Sequence, residues 1–394
     1  MGEAAQLYPP QLVGFLKKAR QLSKEVRLVK VGVIGGGQLA RMMIPPAIAL
    51  GIDLRVLAEI EGSSAQIAST MVGDYTDAAT VLRFAEGLDV ITFDHEHVPQ
   101  DVLQQLVATG IAVHPKPAAL AIAQDKLVMR ERLSALGLPV PDWARIENAA
   151  DLGEFLASHG DVAVVKTPRG GYDGKGVRVV RTADGADDWL ADGGPLLVEE
   201  LVAFRRELAQ VVARRPSGEL VPWPVVETVQ RDGVCAEVIA PAPRSAGAIA
   251  DLAEDIATIV AEQLDVTGVL AVELFETTDE RLVINELAMR PHNTGHWTID
   301  GSRTSQFEQH LRAVLDLPLG ATGSHRDWSV MVNVLGGPIT NRYPAALADQ
   351  STVKFHDYGK QPRPGRKVGH VTAIGDDLDE VVYQARAASG FFER

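Results

Sequence analysis

Cysteine is almost absent from these 394 residues, Cys235 being the only one. That excludes an internal disulfide framework and any cysteine-built metal site, and it agrees with a reducing compartment. No stretch approaches the roughly 18 uncharged apolar residues of a membrane span. Basic residues are in deficit: 38 Lys and Arg against 52 Asp and Glu leave a net charge of −14. A general nucleic-acid binder needs the opposite balance, so that class is excluded too. No GxxxxGK[ST] exists, which removes a Walker-type phosphate loop. Residues 1–28 have no uninterrupted apolar signal core, because Glu3, Lys17, Lys18, Arg20 and Lys24 break up the apolar positions. The expectation is a cytoplasmic protein that carries an amphipathic N-terminal extension without catalytic content.

What remains is an ordinary globular composition, 46% hydrophobic and 23% charged, in a chain long enough for two or three cores. Apolar strands at Val31–Ile34, Leu54–Leu57, Val90–Phe93 and Ile111–Val113 alternate with helical runs, the pattern of a parallel α/β sheet covered by helices. We place this domain at 29–125. Residues 126–197 read as a small α+β lid, and 198–394 as a larger α+β domain ending in a basic segment.

The lid carries the most informative run, KTPRGGYDGKGV from Lys166 to Val177. Four glycines interleaved with Arg169, Tyr172, Asp173 and Lys175 let backbone N–H groups and cations close over phosphate oxygens. The Tyr172-Asp173 pair inside it suggests that the same loop touches a second substrate.

Two further features admit more than one reading. Gly35 to Ala40 matches G-x-G-x-x-A after a strand, with Glu59 ending the next strand, as in a dinucleotide site. It is equally a ligand-free tight turn, or a turn in which Gly36, Gly37 and Gln38 hold a substrate phosphate. The run from Val269 to Trp297 reads as a hairpin turning between Asp279 and Glu280, which puts Glu273 directly opposite Glu286. Two facing carboxylates destabilise a sheet unless a cation lies between them, and Mg²⁺ beside a nucleotide suits them. His292 and His296 lack a third nearby ligand for zinc. Asp94, His95, Glu96 and His97 follow a strand end, which favours a substrate-facing role with Glu96 the main contact.

The hinged loop with paired carboxylates resembles the ATP-grasp superfamily. In detail, GGYDGKG, NELAMRPHNTGHW, SQFEQHLRAVLDLPL and PGRKVGH resemble the N5-carboxyaminoimidazole ribonucleotide synthetase family of purine biosynthesis, over about Val29 to Thr372. The resemblance implies an ATP-grasp fold behind a Rossmann-like domain, and a homodimer formed through that first domain. It implies that Lys126 and Lys166 contact ATP phosphates under a loop of Gly171, Tyr172, Asp173, Gly174, Lys175, Gly176 and Val177. Glu199, Glu200, Leu201 and Val202 would form the adenine hinge, with Glu207 on the ribose hydroxyls. Gln230 stands where the family often has His at a nucleotide contact. Glu273 and Glu286 would hold Mg²⁺ with Asn285 beside them.

The second substrate, 5-aminoimidazole ribonucleotide, needs cations for its phosphate, and Lys360, Arg366 and Lys367, with Arg363 near, supply a cluster that is otherwise a solvated basic loop. Tyr172, Asp173 and Asn293 would line its site. Bicarbonate and ATP would form carboxyphosphate, the ribonucleotide amine would attack the carbon beside Asp173, and Arg290 would either stabilise the oxyanion or serve as a structural ion-pair partner. The alternatives are another ATP-grasp ligase, such as formate-dependent glycinamide ribonucleotide formyltransferase, and an NAD-dependent oxidoreductase.

Overall fold

The computed structural model describes residues 28–171, 175–231, 233–245, 247–336 and 342–392. The N-terminal extension, apart from Leu28, therefore lies outside the described residues. So do Tyr172, Asp173 and Gly174 of the glycine loop.

The strand-helix alternation of the first domain produces a five-stranded sheet, parallel throughout. Its order runs Ser69–Val72, Asp53–Ala58, Lys30–Ile34, Val90–Phe93, Ala112–Val113. The chain builds outward from Lys30–Ile34 on one side, then returns to its other side with Val90–Phe93. Ligands in such sheets bind where the strand order reverses, outside the carboxyl ends. Here those ends are the Gly35 turn and the Asp94–His97 segment, so topology brings both to one crevice.

The lid sheet is antiparallel, ordered Trp143–Ile146, Leu196–Glu200, Ala163–Lys166, Val177–Val180. A boundary at 197 falls inside the strand Leu196–Glu200. The helix Lys126–Ala135, which we grouped with the lid, buries Met129 and Leu133 in the same core cluster as Leu208, Val212 and Leu270 of the large domain. Its start is fixed by Asp125, whose carboxylate accepts the N–H of Leu127 at 3.0 Å and the Nε–H of Arg169, at the base of the glycine loop, at 2.9 Å.

The third sheet has nine antiparallel strands. Its path runs Leu282–Ala288, Gly268–Thr277, Phe204–Arg214, Val226–Arg231, Val234–Ala240, Trp328–Leu335, Lys367–Gly375, Lys354–Asp357, with Leu220–Pro222 beside Phe204–Arg214. The basic segment is thus no tail, because its strand Lys367–Gly375 continues this sheet. Alternation puts Leu208, Val212 and Leu270 under the helix Ala248–Gln263, and Ala209, Val211 and Ala271 on the opposite face, in one buried cluster with Trp297. The first domain docks through helix Gln38–Leu50 against Phe307, Leu311 and Val314, all buried. Each such side chain contributes about 1.5–3 kcal/mol by leaving water, enough to hold the crevice against the large sheet.

Candidate active site

The floor of the site is the Gly268–Thr277/Leu282–Ala288 hairpin, and Glu273 does pair with Glu286. At the turn end the register is nevertheless shifted by one, since Leu274 faces Ile284 and Phe275 faces Val283, which centres the turn on Asp279 rather than between Asp279 and Glu280. A bulge between Glu273 and Leu274 absorbs the difference. Asn285 is the extra residue, and the bulge re-aims it: Asn285 Oδ1 accepts from Lys166 Nζ at 3.2 Å and its carbonyl accepts from Arg130 Nη2 at 2.6 Å.

Burial, the facing Glu286 and nearby Glu207 push the Glu273 carboxyl up to about 7. His292 Nε2 approaches it at 3.5 Å, and Lys126 Nζ lies 2.7 Å from Glu286. Among the described residues no three His, Cys, Asp or Glu side chains form a metal-binding group. The pair still fits a hard divalent cation, which takes one or two carboxylates and completes its shell with phosphate oxygens and water.

Lys166 is held by the Glu199 carboxylate at 2.6 Å, and Arg130 Nε donates to the other oxygen of the same carboxylate. Arg130 is wholly buried, Glu199 nearly so. Burial lowers the Lys166 ammonium's pKa, against the opposing pull of Glu199. Burial also works to raise Glu199, but Arg130 and Lys166 outweigh it and hold the carboxylate below its ordinary range.

The expected hinge begins inside a strand. The Glu199 side chain orders Lys166, while its backbone lies in an interior strand paired with Trp143 on one side and Val164 on the other. The backbone N–H of Glu200 donates to Asp142 O at 2.9 Å. All four expected hinge residues line the cleft, Glu199 and Glu200 from the strand and Leu201 and Val202 from just past its end. Farther along, Gln230 Nε2 donates to Glu207 at 3.1 Å, so the two expected nucleotide contacts do meet, and burial raises the Glu207 carboxyl.

The glycine turn meets the chain's own carboxylates. The Gly36 N–H donates to Glu59 at 3.1 Å and the Gly37 N–H to Asp94 at 2.6 Å. Asp94 also accepts from the Ala40 N–H at 3.0 Å, capping the helix. A Cβ at Gly37 would collide with the Asp94 carboxylate, so that glycine exists for close approach of the chain's own cap. His95 Nε2 lies 3.2 Å from Glu59, and this contact, with the Gly36 N–H, lowers the Glu59 carboxyl to about 2. Glu59 thus folds back onto the turn instead of reaching out to a ribose. The dinucleotide reading loses both its pyrophosphate cradle and its acid, since the Gly36 and Gly37 N–H groups are engaged by Glu59 and Asp94.

Opposite the turn, Arg290 Nε donates to Glu96 at 2.8 Å, which joins two expected site residues across the domains. Asn293 exchanges amide hydrogen bonds with Asn333 at 3.0 and 2.8 Å. The basic residues divide. Lys367 lines the cleft near Glu273, Lys360 Nζ donates to Gln38 Oε1, and Arg366 donates to Gln361 O at 3.0 Å within its own loop.

The cleft between these walls has a volume of about 590 Å³, and its lining includes Lys126, Lys166, Gly171, Val177, Glu207 and Glu286. Sequence reasoning missed Arg130, hidden as one charge in a helix, and Gln124, whose Nε2 donates to the carbonyls of Glu96 and Val98 at 2.6 and 2.7 Å. A metal-ready carboxylate pair, two lysines from different elements and a second cationic end can bind a polyphosphate and a smaller anionic substrate together.

Comparison with known proteins agrees with this arrangement. The ribonucleotide synthetase preATP-grasp domain family matches residues 28–124, the ATP-grasp domain family 131–307, and the phosphoribosylaminoimidazole carboxylase C-terminal domain family 329–384. The chain is 52% identical over 371 residues to the N5-carboxyaminoimidazole ribonucleotide synthase of Mycobacterium tuberculosis, covering 91% of this chain and 86% of that one. Among solved structures, N5-carboxyaminoimidazole ribonucleotide synthetase from Thermus thermophilus superposes with a TM-score of 0.84 at 37% identity, over 92% of this chain and 99% of that one. The Aspergillus clavatus N5-carboxyaminoimidazole synthase in complex with ADP and 5-aminoimidazole ribonucleotide gives 0.84 at 31% identity, over 92% and 98%.

Proposed function

The chain belongs to the N5-carboxyaminoimidazole ribonucleotide synthetase family, and we propose on that footing that it carboxylates 5-aminoimidazole ribonucleotide with bicarbonate as ATP is cleaved to ADP and phosphate. It is an ATP-dependent ligase of purine biosynthesis. The observation that carries this reading is the meeting, in one cleft, of the Glu273–Glu286 pair, Lys126 and Lys166 with the Glu96–Arg290 pair and Lys367.

ATP lies with its ribose toward Glu207 and Gln230 and its adenine at Leu201 and Val202. Its phosphates extend to Lys126 and Lys166, each held by a carboxylate that phosphate oxygens replace or share. Glu273 and Glu286 would hold Mg²⁺, which when bound neutralises charge on the transferring phosphoryl group. A bicarbonate oxygen attacks the γ-phosphorus and ADP leaves, giving carboxyphosphate. That mixed anhydride is short-lived in water, so the glycine loop closes over it. It breaks its C–O bond to phosphate and CO₂. The amine's lone pair then forms the new C–N bond, and its proton passes to Asp173 or to the departing phosphate. Arg290, held by Glu96 and charged throughout, faces the carboxylate oxygens.

In this proposal the hinge lies after Glu200, the lid is 143–200, and the first domain pairs with that of a second copy. Among the described residues no helix is long and apolar enough to cross a membrane.

The direct test supplies ¹³C-bicarbonate, ATP and the ribonucleotide and follows the ¹³C carbamate signal. Its appearance in step with ADP supports the proposal. ADP formation that requires formate and glycinamide ribonucleotide instead would overturn it.

A further inference from the structure

Three contacts with sequence separations near three hundred converge on one short loop. Arg41, in the first turn of helix Gln38–Leu50, donates from Nε to Asp357 O at 3.0 Å and from Nη1 to Ser64 O at 2.9 Å. Ser64, in the first domain, is buried and donates its hydroxyl to Tyr358 O. Gly359 follows with φ +64, and a Cβ there would sit 3.1 Å from Arg41 Nη1. The next residue is Lys360, whose ammonium donates to Gln38 Oε1 and lies 5.8 Å from the Tyr358 ring.

The guanidinium therefore spans two domains, gripping the main-chain carbonyls of Asp357 and Ser64 rather than any carboxylate in these bonds, while Ser64 holds the Tyr358 carbonyl. Its planar fork donates in two fixed directions, which a lysine cannot copy. Inside the loop, Asp357 Oδ1 accepts the Gly359 N–H at 2.7 Å and tightens the turn that delivers Lys360. The Gly36 and Gly37 N–H groups are engaged by Glu59 and Asp94. Anion binding at this end therefore falls to the Lys360 ammonium and the Gln38 side chain, and Lys360 reaches that place only if its loop is fixed.

We propose that Arg41, seconded by Ser64, is a positioning residue that clamps the Asp357–Gly359 backbone and so sets Lys360 against Gln38 to receive the phosphate monoester of the ribonucleotide. This rests on the function proposed above, and on Lys360 being a phosphate contact. Arg41 touches neither substrate; it acts through the loop.

The test is a set of steady-state measurements on full-length Arg41→Lys, Ser64→Ala, Lys360→Met and the Arg41→Lys/Lys360→Met double variant. Arg41→Lys should raise KM for the ribonucleotide about tenfold, with kcat and KM for ATP within about threefold of the parent. Ser64→Ala should shift the same constant in the same direction. Because Arg41 works through Lys360, the double variant should be little worse than Lys360→Met alone. If Lys360→Met raises KM while Arg41→Lys leaves it unchanged, or if the two effects simply add, the clamp is overturned. If Lys360→Met leaves KM for the ribonucleotide unchanged, the phosphate assignment fails and the clamp falls with it. A uniform loss of kcat and thermal stability in Arg41→Lys, with no selective rise in KM, marks a merely structural residue and also overturns the proposal. Parent enzyme that ignores the ribonucleotide altogether would instead indict the proposed function.

Discussion

Glu273 and Glu286 stand directly opposite each other across a hairpin, and the bulge at Asn285 is what puts them there. Had the ladder kept the register of its turn end, Asn285 would face Glu273 and the two carboxylates would be offset. The bulge also points Asn285 Oδ1 at Lys166, so one inserted residue aligns the carboxylate pair and anchors a lysine.

Glu273→Gln should therefore stabilise the metal-free protein while removing activity. The folded pKa is raised from 4.5 to about 7. Folding thus favours the protonated form: the cost of the carboxylate is absent below 4.5, grows as pH rises toward 7, and is constant above. Urea denaturation of Glu273→Gln at pH 8 should show a gain of about 1–2 kcal/mol that disappears near pH 4.5. Turnover should fall about a hundredfold or more. A variant destabilised at pH 8 would show that the pair is not in conflict.

Arg130→Met leaves Glu199 buried with only Lys166 beside it. Breaking a buried ion pair from one side costs about 3–5 kcal/mol, so the denaturation midpoint should drop accordingly. KM for ATP should rise, because the bulge carbonyl and Lys166 both lose their brace. A loss under about 1 kcal/mol would mean that the network is incidental.

Acid should loosen the docking of the first domain before it unfolds the sheets. His310 bridges Thr92 at 2.7 Å and the Val269 N–H at 3.1 Å, and burial depresses its pKa to about 3. The unfolded chain binds a proton near 6.5 that the folded one refuses, so stability present above 6.5 is lost as pH falls toward 3. One such group costs about 2 kcal/mol by pH 5. Half-buried His292 and buried His296 and His370, also held well below their ordinary values, add in the same direction. Urea midpoints between pH 7 and 5 should fall more steeply for the parent than for His310→Gln. Parallel slopes would rule His310 out as a contributor.

Asp173→Asn should bind ATP as the parent does, yet lose carboxylation by about a hundredfold. Equilibrium binding of a fluorescent ATP analogue and product formation separate the two. Unchanged turnover would remove Asp173 from the chemistry.

Much of this was legible in the residues, for reasons that differ from place to place. Strand periodicity and parity put Glu273 and Glu286 on one face, and the pairing followed although the register at the turn end was off by one. The alternating strands of the first domain revealed its parallel sheet, because each buried strand carries its own apolar signal. The Gly35–Gly37 turn was visible but its purpose was not: Asp94 and Glu59 arrive from 57 and 23 residues away, and no local pattern encodes them. Arg130 looks like any solvated helix charge until tertiary packing buries it. The union of Lys367–Gly375 with the large sheet, and the grip of Arg41 on Asp357, are long-range pairings that hydrophobic period does not register.

The most direct measurement is phosphate release from ATP with each component withheld in turn. If the cleft couples the two substrates, release requires bicarbonate and 5-aminoimidazole ribonucleotide together, matches product one for one, and falls to background when either is omitted. Release at full rate without the ribonucleotide, or with formate and glycinamide ribonucleotide in place of both, would contradict the account.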